Sequence, residues 1–223
     1  MNRPKDIPVI TLDGPGGSGK GTVGRCLATR LGWHFLDSGA LYRLVALAAQ
    51  GAGVPLTDAD RLADLARGLP VEFDTAGEGD PRVRLGGVDV SRAIRTEACG
   101  DQASQVAVLA AVREALLGRQ RAFRRAPGLV ADGRDMGTVV FPDARRKIFL
   151  TASPQERALR RYKQLKEKGL NANLAALSEE ISQRDARDAA RPLAPLKPSP
   201  DAHLLDTTGL GIEEVVACIC ELL

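Results

Sequence analysis

The residues best suited to chemistry are Gly14, Pro15, Gly16, Gly17, Ser18, Gly19, Lys20, Gly21 and Thr22, which follow the apolar run Val9–Leu12. Without Cβ atoms, the glycines let successive amide N–H groups converge on one anion. A helix is expected to begin near Gly19, and its N-terminus adds a positive dipole end and unpaired donors. Lys20 adds a full positive charge that can reach the outer phosphates of a nucleoside triphosphate. The strand–loop–helix setting separates this pattern from a glycine-rich turn without a ligand. The usual form of such a loop has Ser or Thr directly after the lysine, where the hydroxyl holds Mg²⁺. Here Gly21 follows Lys20 and Thr22 comes one place later. That departure weakens a direct metal bond from the loop, so a part for Thr22 or Asp132 in holding Mg²⁺ is expected through water.

Further polar residues stand where strands are predicted to end. Gly128–Asp132 reads as a buried strand ending in Asp132-Gly133-Arg134-Asp135. A carboxylate there is suited to the magnesium side of a phosphate site, and Arg134 and Asp135 project from the same edge as the loop. Trp33–Asp37 reads as another strand, after which Ser38 caps a helix carrying Tyr42 and Arg43 on its first turns. Ligands of open α/β sheets bind at such strand ends. The basic helix Ser153–Lys168 holds Arg157 and Arg161 on one face and reads as a lid that clamps a triphosphate, closed by Gly169. In a helix over Leu174–Arg191, Arg184, Asp188 and Arg191 align, either as a salt-bridge ladder or as a ligand-facing row. Gln102–Arg125 reads as one long helix with Ser104 and Arg113 about two and a half turns apart.

The elements that must position these residues form an α/β chain. The expected fold is a three-layer α/β/α arrangement around a five-stranded parallel sheet, completed by strands at Lys147–Thr151 and Leu204–Asp206 and a closing helix Ile212–Leu222. A different texture interrupts it. Val71–Phe73, Pro81–Leu85 and Val88–Val90 alternate with period two around Gly86-Gly87, which predicts a small antiparallel β insert. The organisation expected is core over 1–67, β insert over 68–96, core over 97–152, lid over 153–170 and core over 171–223, with prolines at 192, 195, 198 and 200 forming a stiff connector.

At 223 residues, with 44% hydrophobic and 26% charged residues, the composition is that of an ordinary globular domain. Aromatic residues make up 4%, too few for a stacking platform, and the net charge of +3 suits a phosphate-handling site better than a nucleic-acid stripe. No apolar run is long enough for a membrane span and the first residues lack a signal-peptide core, so a cytoplasmic monomer without nucleic-acid or membrane partners is expected. Cys26, Cys99, Cys218 and Cys220 form no C-x-x-C pair and read as small apolar residues.

In DGPGGSGKGT at 13–22, LDSGALYR at 36–43, ASQVA at 103–107, VREAL at 112–116, ADGRDMGTVVFPDA at 131–144 and RDARDAAR at 184–191, the chain resembles the bacterial cytidylate kinases over nearly its whole length. The resemblance implies transfer of the γ-phosphoryl of ATP to CMP or dCMP, with Mg²⁺. It also implies that Gly14–Thr22 hold the ATP phosphates and that Ser38, Tyr42 and Arg43 line the monophosphate side, with Arg43 and Arg134 near the acceptor phosphate. Ser104, Arg113 and Asp135 would read the cytosine edge, Arg184 and Asp188 the pentose, and Arg191 the base or phosphate region. Lys20, Arg134, Arg157, Arg161 and Asp132 would act in transfer. Two other readings stay open: a kinase of UMP, AMP or a small metabolite such as shikimate, and a nucleotide-dependent switch or RNA-binding module. Against the latter, no guanine-reading N-K-x-D run occurs.

Overall fold

The computed structural model describes residues 6–74, 82–167, 169, 171–191 and 193–223. The chain runs β1 (Val9–Asp13), α1 (Lys20–Leu31), β2 (His34–Asp37), α2 (Ser38–Gly51), α3 (Ala59–Arg67), β3 (Val71–Asp74), β4 (Arg82–Leu85) and β5 (Val88–Asp89). It continues with α4 (Glu97–Val106), α5 (Ala110–Arg121), β6 (Leu129–Asp132), β7 (Arg146–Thr151), α6 (Pro154–Glu167), α7 (Leu174–Ala189), β8 (His203–Asp206) and α8 (Ile212–Glu221). It divides into two compact units, one formed by the residues up to Asp37 with Gln120–Leu223, the other by Ser38–Arg119.

The first unit holds the five-stranded sheet, in the order β2-β6-β1-β7-β8, with every pairing parallel. The central strand β1 is buried along its whole length, which is why VITLD is apolar or β-branched up to its terminal carboxylate. Val23 and Leu27 of α1 and Val215, Val216 and Ile219 of α8 pack against Ile10, Leu12, Val130, Ile148 and Leu150 of the sheet. All five strand ends that could face a ligand, from Asp13 to Asp206, therefore belong to one rigid frame. Close approach fixes one residue choice: a Cβ at Gly128 would lie 2.4 Å from Trp33 Cδ2. Gly128→Ala should therefore displace the ring and destabilise the protein by roughly 1–3 kcal/mol, measured by chemical denaturation followed through the fluorescence of Trp33.

In the second unit, Leu41, Leu44, Val45 and Ala49 of α2 and Leu62, Ala63 and Ala66 of α3 are buried. β3, β4 and β5 form the antiparallel sheet, with Val71 opposite Leu85 and Leu85 opposite Val88. Gly86 and Gly87, at φ 57° and 81°, supply the two-residue turn that the glycine pair announced.

Three expectations need correction. The long helix over Gln102–Arg125 is two helices: α4 starts earlier, where the Thr96 hydroxyl accepts the Cys99 amide, and ends at Ala107. No glycine or proline marks the break. Val106 and Ala107 before it and Val112 and Leu116 after it are all buried, and the Arg113 guanidinium donates to the Ala107 carbonyl at 3.3 Å. Ser104 and Arg113 thus sit on different helices, so their spacing in turns has no meaning. Arg191 lies beyond the end of α7 rather than within it, and Ser38 is the first residue of α2 rather than its cap. A wide helical turn over Met136–Val140 was not foreseen. Readings that involve residues 1–5, Pro81, Lys168, Leu170 and Pro192 lie outside the described residues.

Candidate active site

The loop after β1 is shaped by close packing. A Cβ at Gly14, whose φ is +143°, would fall 2.0 Å from the Leu150 carbonyl oxygen, so the chain can leave the sheet here only as glycine. Farther along, loop carbonyls are tied to the surrounding frame. Arg157 donates from Nη1 to Gly16 O at 3.1 Å, while Ser18 O accepts from Arg160 Nη1 at 3.4 Å and from the Thr207 hydroxyl at 3.2 Å. In a planar peptide the C=O and the following N–H point opposite ways. Holding these carbonyls toward α6 and β8 turns the amides of Gly17 and Gly19 to the other side, where an anion can meet them.

Lys20 opens α1 and is buried, with Nζ donating to Pro15 O at 2.7 Å and to Ser18 Oγ at 3.3 Å. Burial first, then the charges of Arg134 and Arg184, push its pKa down to about 7, with Asp132 working the other way. Asp132 is pushed up to about 7, chiefly by burial, against the pull of Lys20. Its Oδ2 lies 3.3 Å from where a Gly21 Cβ would be, so glycine at 21 leaves this carboxylate room beside the start of α1. Asp13 is pushed up to about 6 by burial, against two backbone hydrogen bonds from Gly137 and Met136.

The arginines converge on the same loop. Arg134 Nη2 and Arg184 Cζ lie 3.6 and 3.9 Å from a Cβ built at Gly16. Arg134 Nε donates to Asp188 Oδ2 at 2.9 Å, and Arg191 pairs with the other oxygen of Asp188. Arg157 Nη2 donates to Asp185 Oδ2 at 2.6 Å. Two carboxylates of α7 thus take partners from outside the helix: Asp188 holds Arg134 of the segment after β6, and Asp185 holds Arg157 of α6. Arg161, the other lid arginine of the sequence reading, donates to Gln164.

Ser38, Tyr42, Arg43, Ser104 and Arg113 lie in the second unit. There Arg113 Cζ sits 6.0 Å from the centre of the Tyr42 ring, and Arg43 Nη1 donates to Ile94 O at 2.7 Å and to Thr96 O at 3.2 Å. The Ser104 hydroxyl is buried without a hydrogen-bond partner among the described residues, so a ligand group could engage it. Arg134, Asp135, Arg184, Asp188 and Arg191 belong to the first unit with the loop.

Sequence reasoning missed Asp13, Arg160, Asp185 and Thr207. Arg160 is visible in the basic helix, but its partners Thr207 and Leu210 are about fifty residues away. Thr207 follows a parallel strand directly, which is the signal that could have found it. Among the described residues there is no group of three or more His, Cys, Asp or Glu side chains placed to hold a metal by themselves, and no helix long and apolar enough to cross a membrane.

A lysine and several arginines gathered on a glycine loop at the carboxyl edge of a parallel sheet define a phosphate-binding-loop kinase. A gluconokinase from Sinorhizobium meliloti shares this fold, with a TM-score of 0.50 at 16% identity over 99% of this chain and 95% of that one. Residues 10–223 match the family model described as cytidylate kinase. The cytidylate kinase of Nitrosococcus oceani is 61% identical over 95% of this chain and 93% of its own length, and that of Stutzerimonas stutzeri 63% identical over the same shares. The chain belongs to the cytidylate kinase family.

Proposed function

We propose that this protein transfers the γ-phosphoryl group of ATP to CMP or dCMP, giving ADP and CDP or dCDP. The observation that carries the reading is the convergence of Lys20, Arg134 and Arg184 on one glycine loop, a gathering of cations suited to a polyanion. Phosphoryl transfer passes through a loose, charge-rich transition state, so positioning and charge neutralisation do most of the catalysis. The acceptor phosphate has a second pKa of about 6. It attacks as a dianion, and no general base is needed.

In this reading Gly14, Pro15, Gly16, Gly17, Ser18, Gly19, Lys20, Gly21 and Thr22 bind the ATP phosphates. Ser38, Tyr42, Arg43, Ser104, Arg113, Arg134, Asp135, Arg184, Asp188 and Arg191 bind the monophosphate. Arg157 and Arg161 serve the transferring group, Arg157 by way of the loop carbonyl it holds. The buried oxygens of Asp132 beside the start of α1 are a donor set suited to Mg²⁺ or to its water shell, with Thr22 nearby in sequence. When bound, the ion neutralises charge on the phosphates. We assign the protein to the cytoplasm as a monomer in pyrimidine nucleotide metabolism; its four free cysteines suit a reducing compartment.

The test is an acceptor panel with ATP and Mg²⁺. CMP and dCMP should exceed UMP, AMP and shikimate in kcat/KM by roughly 10-fold or more, the value of about 1.4 kcal/mol for each lost base contact. Preference for any other acceptor would overturn the assignment, and tight GTP or RNA binding without turnover would favour the switch reading.

Lys20 also sets a pH dependence. Burial and the nearby Arg134 and Arg184 lower its pKa to about 7 in the free protein, so its charge fades on the alkaline side of neutrality. Triphosphate binding raises that pKa, so ATP binding above neutral pH should take up protons at the Lys20–Asp132 pair, and affinity should fall as pH rises above about 7. Calorimetry with ATP, without Mg²⁺, in two buffers of different ionisation enthalpy measures the uptake.

A further inference from the structure

Asp13 ends β1 and directly precedes Gly14 of the phosphate loop. Its carboxylate crosses to the segment that follows Asp135: the amide of Met136 donates to Oδ1 and that of Gly137 to Oδ2, each at 2.8 Å. These are the first two amides of the helical turn Met136–Val140. Asp135 stands at the cap position of that turn but makes no side-chain cap bond, and Asp13 supplies the acceptors instead. The residues beneath are packed solid. Met136 is fully buried, a Cβ at Gly137 would lie 2.9 Å from Thr11 Oγ1, and a Cβ at Gly133 would lie 2.8 Å from Met136 Cε. The Gly133 amide also donates to Leu12 O at 3.0 Å. The backbone of residues 132–137 is therefore pinned to the end of β1 at both ends, and Arg134 rides on the pinned segment.

We propose that Asp13 is a positioning residue that holds Arg134 in register with the phosphate loop. The inference rests on the reading of the protein as an ATP:CMP phosphotransferase. One side chain is joined covalently to the loop on one side and by two hydrogen bonds to the turn that directly follows the Arg134 segment on the other, so the two cannot drift apart independently. The chemistry requires a carboxylate. Two adjacent N–H groups need two acceptors, and an amide side chain offers only one, turning its own NH₂ toward the second donor. Burial of a charge is otherwise costly, and these two charge-assisted bonds are what compensate it here. Asp135, Lys20, Asp132 and Arg134 surround the group electrostatically.

The test is a double-mutant cycle on kcat with CMP, joined to amide exchange. Asp13→Asn should lower kcat by roughly 10- to 100-fold, the cost of a displacement of about an ångström, while the equilibrium affinity for ATP changes much less. In an Arg134→Ala background the same substitution should cost almost nothing further, because the residue it positions is gone. The amides of Met136 and Gly137 should exchange slowly in the unsubstituted protein and faster in Asp13→Asn. Additive losses in the cycle, an unchanged kcat, or exchange rates that the substitution does not alter would each overturn the proposal. Asp13→Ser, which keeps one acceptor without the charge, carries the same comparison if the asparagine variant does not fold. Absence of CMP phosphorylation by the unsubstituted protein would instead remove the functional reading, and the exchange experiment would still judge the tether.

Discussion

Lys20→Met is expected to lower kcat by about 10²–10³-fold while shifting the Tm by no more than about 4 °C, the equivalent of roughly 1 kcal/mol. The asymmetry follows from how the side chain is held. Lys20 is 5% exposed, and burial with the neighbouring Arg134 and Arg184 opposes its charge. A buried ammonium among cations does little for the free fold and becomes favourable only when phosphate oxygens arrive. Its removal leaves the Pro15 carbonyl with the Ser18 hydroxyl at 3.0 Å, and Asp132 and Asp13, which lose its charge, have pKa values already raised toward neutrality by burial. Methionine fills nearly the same length without charge. Near-normal turnover would contradict a role in transfer, and a collapse of Tm with it would mark Lys20 as structural.

Arg134→Ala should be more costly still, with kcat down by roughly 10³-fold, the magnitude of an arginine that neutralises a transferring phosphoryl group. Here stability should fall too. Asp188 is 1% exposed, and although burial would raise its pKa, Arg134 first and then Arg191 and Arg184 hold it below the usual carboxylate value. Without Arg134 the buried carboxylate keeps Arg191 and the weaker pull of Arg184, a loss of roughly 1–3 kcal/mol. Because the folded value of Asp188 is depressed, this contribution is fully present above the ordinary value of 3.8 and disappears as acid protonates the carboxyl. The difference in stability between the two proteins should therefore be full at neutral pH and shrink below about pH 4. Arg134→Lys keeps the charge but lacks the planar fork that serves Asp188 and a phosphate together, so it should recover more stability than rate.

What could be read in the sequence was local. The glycine loop, the strand that feeds it and the turn at Gly86-Gly87 each encode their geometry in a few adjacent residues, and the structure carries all three. The parallel strands were legible because burial on both faces leaves mostly apolar, β-branched runs closed by a carboxylate, such as VITLD and LVAD. The break between α4 and α5 was not, because no glycine or proline marks it and only the burial of Val106 and Val112 demands it. The partners of the arginines were equally hidden. Arg157 and Arg160 look alike on a basic helix, yet one finds Asp185 and the other Thr207, pairings fixed by where α7 and β8 return to the loop. Asp13 stands in the sequence only as the residue before the glycine loop, since nothing nearby tells that its oxygens are needed by residues more than a hundred positions away.

The central claim is that this site carries a phosphoryl group from one nucleotide to another and not to water. Rapid-quench single turnover with γ-labelled ATP, CMP and Mg²⁺ tests it most directly. Label should leave ATP only when CMP is present and appear in CDP in step with ADP. Label appearing in inorganic phosphate at the same rate with or without CMP would contradict it.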